Sequence, residues 1–118
     1  AMYGGFNQIG RTGLLEIEAA TNQALSAIMV NRNLILPEYL LLVLNTKIGY
    51  WKKVAISSRK DPNITKDDVE NFPVPIPPME VQRAILRKTN LIHSVIKNTE
   101  FKINNSKALQ KSLINQIF

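Results

Sequence analysis

The sequence contains no cysteine and only one histidine, and both shortages restrict the chemistry open to it. Without cysteine there is no disulfide framework and no thiolate metal site, and one histidine excludes a His-based zinc cluster. That histidine, His93, has no catalytic partner in the sequence, so no Ser-His-Asp triad is expected. We therefore expect a protein without a metal or another cofactor.

Long hydrophobic runs are also missing. The longest, such as residues 40–44, fall far short of the roughly 20 residues that span a bilayer. The first five residues have neither the basic flank nor the apolar run of a signal peptide. A cytoplasmic protein is the expectation. With 118 residues, of which 45% are hydrophobic, the chain suits one domain, or part of one, with a packed core.

Basic residues exceed acidic ones by 15 to 9, which gives a net charge of +6. The excess is local, because the segment 47–60 contains no acidic residue but holds Lys47, Lys52, Lys53, Arg59 and Lys60. Such a segment suits a polyanionic partner such as a nucleic acid. A merely solvated surface is the alternative, and the charge alone leaves both open.

Short strands and helices are predicted along residues 1–77. Residues 10–13 read as a tight turn, residues 14–19 and 24–30 as strands, and residues 31–33 as another turn. A buried helix is predicted to start at Pro37 and to run to Asn45. Residues 52–58 are compatible with a strand or an ordered loop.

A short helix is predicted at residues 66–71. Thr65 precedes it as a capping residue, and Asp68 follows three positions later as in a capping box. Phe72-Pro73 ends the helix, and the prolines that follow hold residues 74–76 extended.

Residues 78–118 predict one long helix, because no glycine or proline follows Pro78. A 4-3 spacing runs from Ile85 to Ile117, with aliphatic residues at six of ten positions: Ile85, Ile92, Ile96, Ile103, Leu113 and Ile117. This seam favours a coiled-coil partner, and a helix lying flat on a small globular body is the competing interpretation. The predicted fold class is therefore α+β, with a small mixed globular part followed by one long coiled-coil helix.

No catalytic constellation is found. Glu100-Phe101-Lys102 lacks the upstream Pro-Asp of a nuclease pattern, and Ser57-Ser58 has no neighbouring base. The glycine turn at residues 10–13 lacks the Gly-Lys-Ser/Thr of a phosphate-binding loop.

An ordered set of motifs resembles the specificity subunit of type I restriction–modification enzymes. The set comprises Asn63-Ile64-Thr65, the proline-rich Phe72–Pro78, Gln82 with Ile85, and the ending Ser112–Phe118, preceded by Gly10–Gly13, Ala20–Ala24 and Ala27-Ile28. The chain resembles the latter part of one target recognition domain together with its long conserved helix. This resemblance implies a partial DNA-binding domain at residues 1–77 and a helix for pairing and spacing at residues 78–118.

The resemblance also implies the function and the partners. In that family the recognition domain reads one half of a split double-stranded DNA target, and the long helices pair and dock methyltransferase (M) subunits. Methylation and cleavage belong to the M and restriction (R) subunits, so the chain itself is expected to be non-catalytic. We expect a homodimer or pairing with another specificity-subunit helix. A coiled-coil interaction module that does not bind DNA, or an inactive truncated fragment, is the alternative.

The candidate DNA contacts lie in two loops and one basic segment. Lysine and arginine suit phosphates, whereas arginine, asparagine and glutamine can read base edges. The candidates are Arg11, Thr21, Asn22, Gln23, Lys47, Lys52, Lys53, Arg59 and Lys60. For Asn22 and Gln23 the alternative is that they only stabilise a turn.

Overall fold

A computed structural model describes residues 1–5, 7–56 and 63–117, and its regular secondary structure consists of four helices. These are α1 (Pro37–Thr46), α2 (Ile48–Ile56), α3 (Lys66–Glu70) and α4 (Met79–Ile117). The described ranges contain no β-strand, so the predicted α+β class with short strands is wrong. The chain divides into two compact units, unit 1 (Ala1–Arg83) and unit 2 (Ala84–Phe118).

The two predicted strands, residues 14–19 and 24–30, have no regular secondary structure. Alternating side chains form a strand only when a neighbouring strand accepts the backbone hydrogen bonds. No described residue gives residues 14–19 such a partner, and Leu15 and Ile17 remain exposed. Apolar and polar residues do alternate in this segment, but the described part of the chain contains no other strand with which it could pair.

Helix α1 confirms the predicted buried helix. Pro37 occupies its first turn, where a missing N–H leaves no hydrogen bond unmade, and Glu38 suits the positive end of the helix dipole. Tyr39, Leu40, Val43 and Leu44 recur at helical spacing and are buried. Burying each such side chain contributes about 1.5–3 kcal/mol, so this face carries much of the core of unit 1.

Helix α2 corrects the strand or loop predicted at residues 52–58; residues 57 and 58 lie outside the described residues. Lys47 ends α1 by donating its N–H to the Leu44 carbonyl (3.1 Å), and its own carbonyl accepts from the N–H of Tyr50 (2.9 Å). Trp51 and Ala55, four residues apart, form the buried face. The periodicity was weak because so few positions of α2 are buried.

Aromatic side chains join α2 to the segment after α3. The rings of Trp51 and Phe72 stack with centroids 4.6 Å apart, and Tyr50 meets both edge-on at 5.3 and 5.2 Å. Such pairs add stabilisation beyond the area that they bury. Ile9 and Ile64 are buried in the same unit.

Helix α3 confirms the predicted capping box. The Thr65 hydroxyl oxygen accepts from the Asp68 N–H (3.2 Å), and the Asp68 carboxylate accepts from the Thr65 N–H (2.8 Å). Two otherwise unpaired donors of the first turn are thereby satisfied. The helix ends at Glu70, before Phe72-Pro73, as the proline predicts.

Helix α4 confirms the predicted long C-terminal helix. Its first turn belongs to unit 1, and its remainder is unit 2, in which no described residue is buried. The prediction that this helix pairs with another helix stays a prediction. Within the described ranges no helix combines the length and the apolar character that crossing a membrane requires.

Candidate nucleic-acid interface

The outer face of α2 presents two neighbouring lysines. Trp51 and Ala55 turn the opposite face of this helix into the core, which leaves Lys52 and Lys53 exposed. Neither ammonium group has a hydrogen bond or an ion pair with any described residue. Both positive charges are therefore available to a ligand such as a phosphate group.

Lys47 lies at the junction of α1 and α2. Its backbone is fixed by the two helices, while its exposed side chain makes no contact of this kind with a described residue. The junction thus adds a third unpaired ammonium group, just before the first residue of α2.

A tight turn carries Arg11 to the same part of unit 1. The Arg11 N–H donates to the Gln8 carbonyl (3.1 Å), so the turn lies two residues before the position predicted from the glycines. Gly10 has a φ of +76°, and a Cβ placed there would lie 2.8 Å from the Trp51 Cβ. Only glycine allows this close approach of the turn to α2.

A hydrogen bond between side chains fixes the residue after Arg11. The Thr12 hydroxyl donates to the Asn45 amide oxygen, which places this loop beside the end of α1, two residues before Lys47. The exposed Arg11 side chain itself forms no ion pair with a described residue. Arg11 and the three lysines therefore belong to segments that are in contact.

The second candidate loop forms a turn around Asn22. The Leu25 N–H donates to the Asn22 carbonyl (3.2 Å), and the Ala24 N–H donates to the Asn22 side-chain oxygen (3.0 Å). Asn22 therefore does stabilise a turn, as one interpretation predicted, while its NH₂ group has no partner among the described residues. Thr21 and Gln23 are exposed and equally unengaged there.

The first two residues tie both loops together. Ala1 donates its amino group to the Arg11 carbonyl (2.6 Å) and accepts from the Gly10 N–H (3.1 Å). Met2 donates its N–H to the Ala24 carbonyl (2.8 Å) and accepts from the Ile64 N–H (3.0 Å). Burial lowers the pKa of the Ala1 amino group.

The remaining candidates are placed less favourably or not at all. Arg59 and Lys60 lie outside the described residues. Lys66, another exposed lysine of unit 1, pairs with Glu70 at 3.2 Å in α3, beside Asp67 and Asp68. The unpaired positive charges in the described part of unit 1 thus include those on α2 and at its junction with α1.

One residue of structural importance is Gln82, whose place in the sequence motif did not predict its contacts. Its side chain is 0% exposed; its oxygen accepts from the Leu36 N–H (2.9 Å), and its NH₂ donates to the carbonyls of Leu34 (2.9 Å) and Pro77 (2.8 Å). A polar residue inside an otherwise amphipathic helix gives no sequence signal for such contacts. Gln82 fastens the first turn of α4 to the segment that leads into α1.

The predicted helix-pairing residues lie along α4 with their side chains open to solvent. Ile92, Ile96, Ile103, Leu113 and Ile117 are between 48% and 75% exposed, and Ile85 is partly buried. No described group of three or more His, Cys, Asp or Glu residues could hold a metal ion.

A model of the protein family described as "Type I restriction modification DNA specificity domain" matches residues 4–111. The match covers the candidate interface and most of α4, and it confirms the resemblance found in the sequence motifs. No solved structure matches the chain.

Proposed function

The chain belongs to the type I restriction modification DNA specificity domain family, and we propose that it directs methyltransferase and restriction subunits to one half of a split DNA target. Residues 1–77 then act as part of a target recognition domain, and residues 78–118 act as the helix for pairing and spacing. Methylation and cleavage belong to the partner subunits. The site of action is the cytoplasm.

The observation that carries this proposal is the unpaired positive charge on α2 and at its start. Lys52 and Lys53 are exposed on α2, and Lys47 is exposed at its junction with α1. Lysines held by helices in this way suit the phosphate contacts that position a protein on DNA. Arg59 and Lys60 extend the same basic segment along the sequence. Contacts between these residues and DNA phosphates would supply affinity, but they would not distinguish one DNA sequence from another.

The two loops are proposed to read the bases. Arg11 can donate two hydrogen bonds to guanine, and Asn22 and Gln23 can pair with adenine, with Thr21 as a further donor or acceptor. Loops held by a rigid scaffold are where recognition residues commonly lie, and the contacts through Ala1 and Met2 hold these two loops. The turn-stabilising hydrogen bond of Asn22 uses its oxygen and leaves its NH₂ group to donate.

Helix α4 and its proline-rich entry are proposed to dock the methyltransferase subunits. The exposed seam supports this, together with pairing to a second copy or to another specificity-subunit helix. Family membership is the main support for the identity of these partners.

The experiment is a titration of a DNA duplex with this chain and its methyltransferase subunits at several salt concentrations. Counterion release predicts that the affinity falls steeply with salt, with a slope set by the number of phosphate contacts. No DNA binding, combined with retained binding to the methyltransferase in a pull-down, would instead establish a helical interaction module. Loss of both would contradict the proposal entirely.

A further inference from the structure

The two neighbours of Arg11 in the sequence are each held by a different helix. Gly10, whose φ is +76°, lies against the side chain of Trp51 in α2. The Thr12 hydroxyl donates to the side-chain oxygen of Asn45, near the end of α1. The backbone of Arg11 is therefore held from both sides.

The same two helices position the exposed lysines of the candidate interface. Asn45 lies two residues before Lys47, and Trp51 directly precedes Lys52. The Arg11 side chain is exposed and has neither an ion pair nor a hydrogen bond with a described residue. The Arg11 backbone is thus fixed relative to these lysines, while its guanidinium group has no partner within the described ranges.

An arginine that reads a base depends on its position more than a lysine that binds a phosphate does. Guanine accepts two hydrogen bonds from one planar guanidinium group, and both bonds form only when the two planes are aligned. The ammonium group of lysine is a compact charge on a flexible side chain, so it reaches a phosphate from many positions. A recognition site fails when its supporting contacts leave it loose by about 1 Å. A contact that fixes the Arg11 loop therefore affects base preference more than affinity.

The loop around Asn22 has no comparable support from a side chain. The side-chain oxygen of Asn22 accepts from the Ala24 N–H, within its own turn. Among the described residues, the side chains of Thr21 and Gln23 make no hydrogen bond to α1 or α2. Of the two proposed reading loops, the Arg11 loop is the one that a side-chain hydrogen bond fixes relative to the lysines.

We propose that Thr12 and Asn45 are positioning residues, whose hydrogen bond holds Arg11 in place to read a base of the DNA target. This inference rests on the proposed function and deepens it, because it names a contact on which the sequence preference depends. Thr12 and Asn45 act through Arg11, so the loss of their hydrogen bond lowers the preference for the base that Arg11 reads. The phosphate contacts of the lysines, and hence the affinity for unrelated sequences, remain.

The test measures base preference with a DNA duplex that carries a randomised central segment. The chain with its methyltransferase subunits selects from this duplex, and the bound fraction is sequenced, so that the target need not be known beforehand. Arg11→Ala identifies the positions that Arg11 reads, where we expect the preference for the favoured base to fall by at least about fivefold. Thr12→Val and Asn45→Ala should each lower the preference at the same positions by about threefold or more.

Two control variants separate positioning from a general loss of structure. Thr12→Ser keeps the hydroxyl donor and should retain the base preference. Thr46→Val removes a hydroxyl next to Asn45 whose hydrogen bond, to the Val43 carbonyl at 2.7 Å, stays within α1, and it should change the preference little. Adding Thr12→Val to Arg11→Ala should cause no further loss, because the two substitutions remove the same base contact.

A second readout is the affinity for a duplex of unrelated sequence at several salt concentrations. Thr12→Val and Asn45→Ala should leave both this affinity and its salt slope unchanged, because the lysines still contact the phosphates. A fall in this affinity as large as the fall in base preference would indicate a general loss of structure and would overturn the inference. Circular dichroism of each variant checks its folding independently.

Unchanged base preference in Thr12→Val or in Asn45→Ala would overturn the inference, as would a loss in Thr12→Ser equal to that in Thr12→Val. An Arg11→Ala variant that binds all sequences equally less well would make Arg11 a phosphate contact and would overturn it too. In each of these cases the unaltered complex still selects DNA sequences, so the proposed function stands. If the unaltered complex binds no duplex, the proposed function fails and the inference fails with it.

Discussion

Units 1 and 2 use their apolar residues in opposite ways. In unit 1 the residues Leu40, Leu44, Trp51 and Phe72 are all less than 10% exposed, whereas the described residues of unit 2 include none that is buried. Unit 1 therefore has a core of its own. An isolated helix gains little stability without tertiary packing, so we expect a partner that covers the seam to stabilise unit 2.

The polar side chains of the two units also differ in whether they bond to other segments of the chain. In unit 1 the buried Gln82 satisfies three backbone groups of neighbouring segments. In unit 2 the seam hydroxyls of Thr89 and Thr99 bond only within their own helix. The comparison teaches that unit 1 is specified by contacts within itself, whereas the seam hydroxyls of Thr89 and Thr99 in unit 2 have no hydrogen bond beyond their own helix among the described residues.

The largest expected effect is that of Gln82→Leu, which breaks the buried contacts of unit 1. The substitution leaves the Leu36 N–H and the carbonyls of Leu34 and Pro77 buried without partners, so we expect a loss of about 3–5 kcal/mol in the free energy of unfolding. Unfolding in urea measures this loss of free energy. The exposed Gln116→Leu is the matched control and should change little; equal stability of both variants would contradict the role of Gln82.

Gly10→Ala sharpens the comparison at the contact between the Arg11 loop and α2. Its φ of +76° and the 2.8 Å approach to the Trp51 Cβ both disfavour a side chain. We expect about 2 kcal/mol lower stability on thermal unfolding. Gly13→Ala is the control, because open space surrounds it. If the two variants unfold alike, the loop does not pack as described.

Ile96→Lys tests the open face of unit 2. A charge in the middle of the seam must lose water when another helix covers it, so association with the helical partner should weaken by at least about tenfold. The stability of unit 1 should be unchanged in the same protein. Asn98→Lys adds the same charge away from the seam, and a loss of association as large as that of Ile96→Lys would remove the seam from the interface.

Local signals predicted the helices that depend on them. Pro37 started α1, Thr65 with Asp68 capped α3, and the absence of glycine and proline after Pro78 allowed α4. Each signal acts within a few residues of its own position, so the sequence displays it directly.

Signals that depend on distant residues were misread. The alternation at residues 14–19 indicates a strand only if another strand lies alongside, and none is described. Helix α2 was missed because the Trp51–Ala55 spacing is short and the exposed lysines obscure it. For the site, the sequence supplied the candidate side chains, but the contacts of Gly10 and Thr12 with α2 and α1 are long-range and needed the structure.

The division of labour between the two units is tested most directly by two double variants with the same change of charge. Lys52→Ala with Lys53→Ala removes exposed lysines from unit 1, and Lys97→Ala with Lys111→Ala removes exposed lysines from unit 2. The measurement is the DNA affinity as a function of salt, made with the methyltransferase subunits present. We expect the first pair to weaken binding to all sequences alike and to reduce the salt slope by about one unit per lost contact, while the second pair leaves both values near those of the unaltered chain. Unchanged affinity and slope in the first pair, or equal losses in both, would contradict the assignment of the DNA contacts to α2.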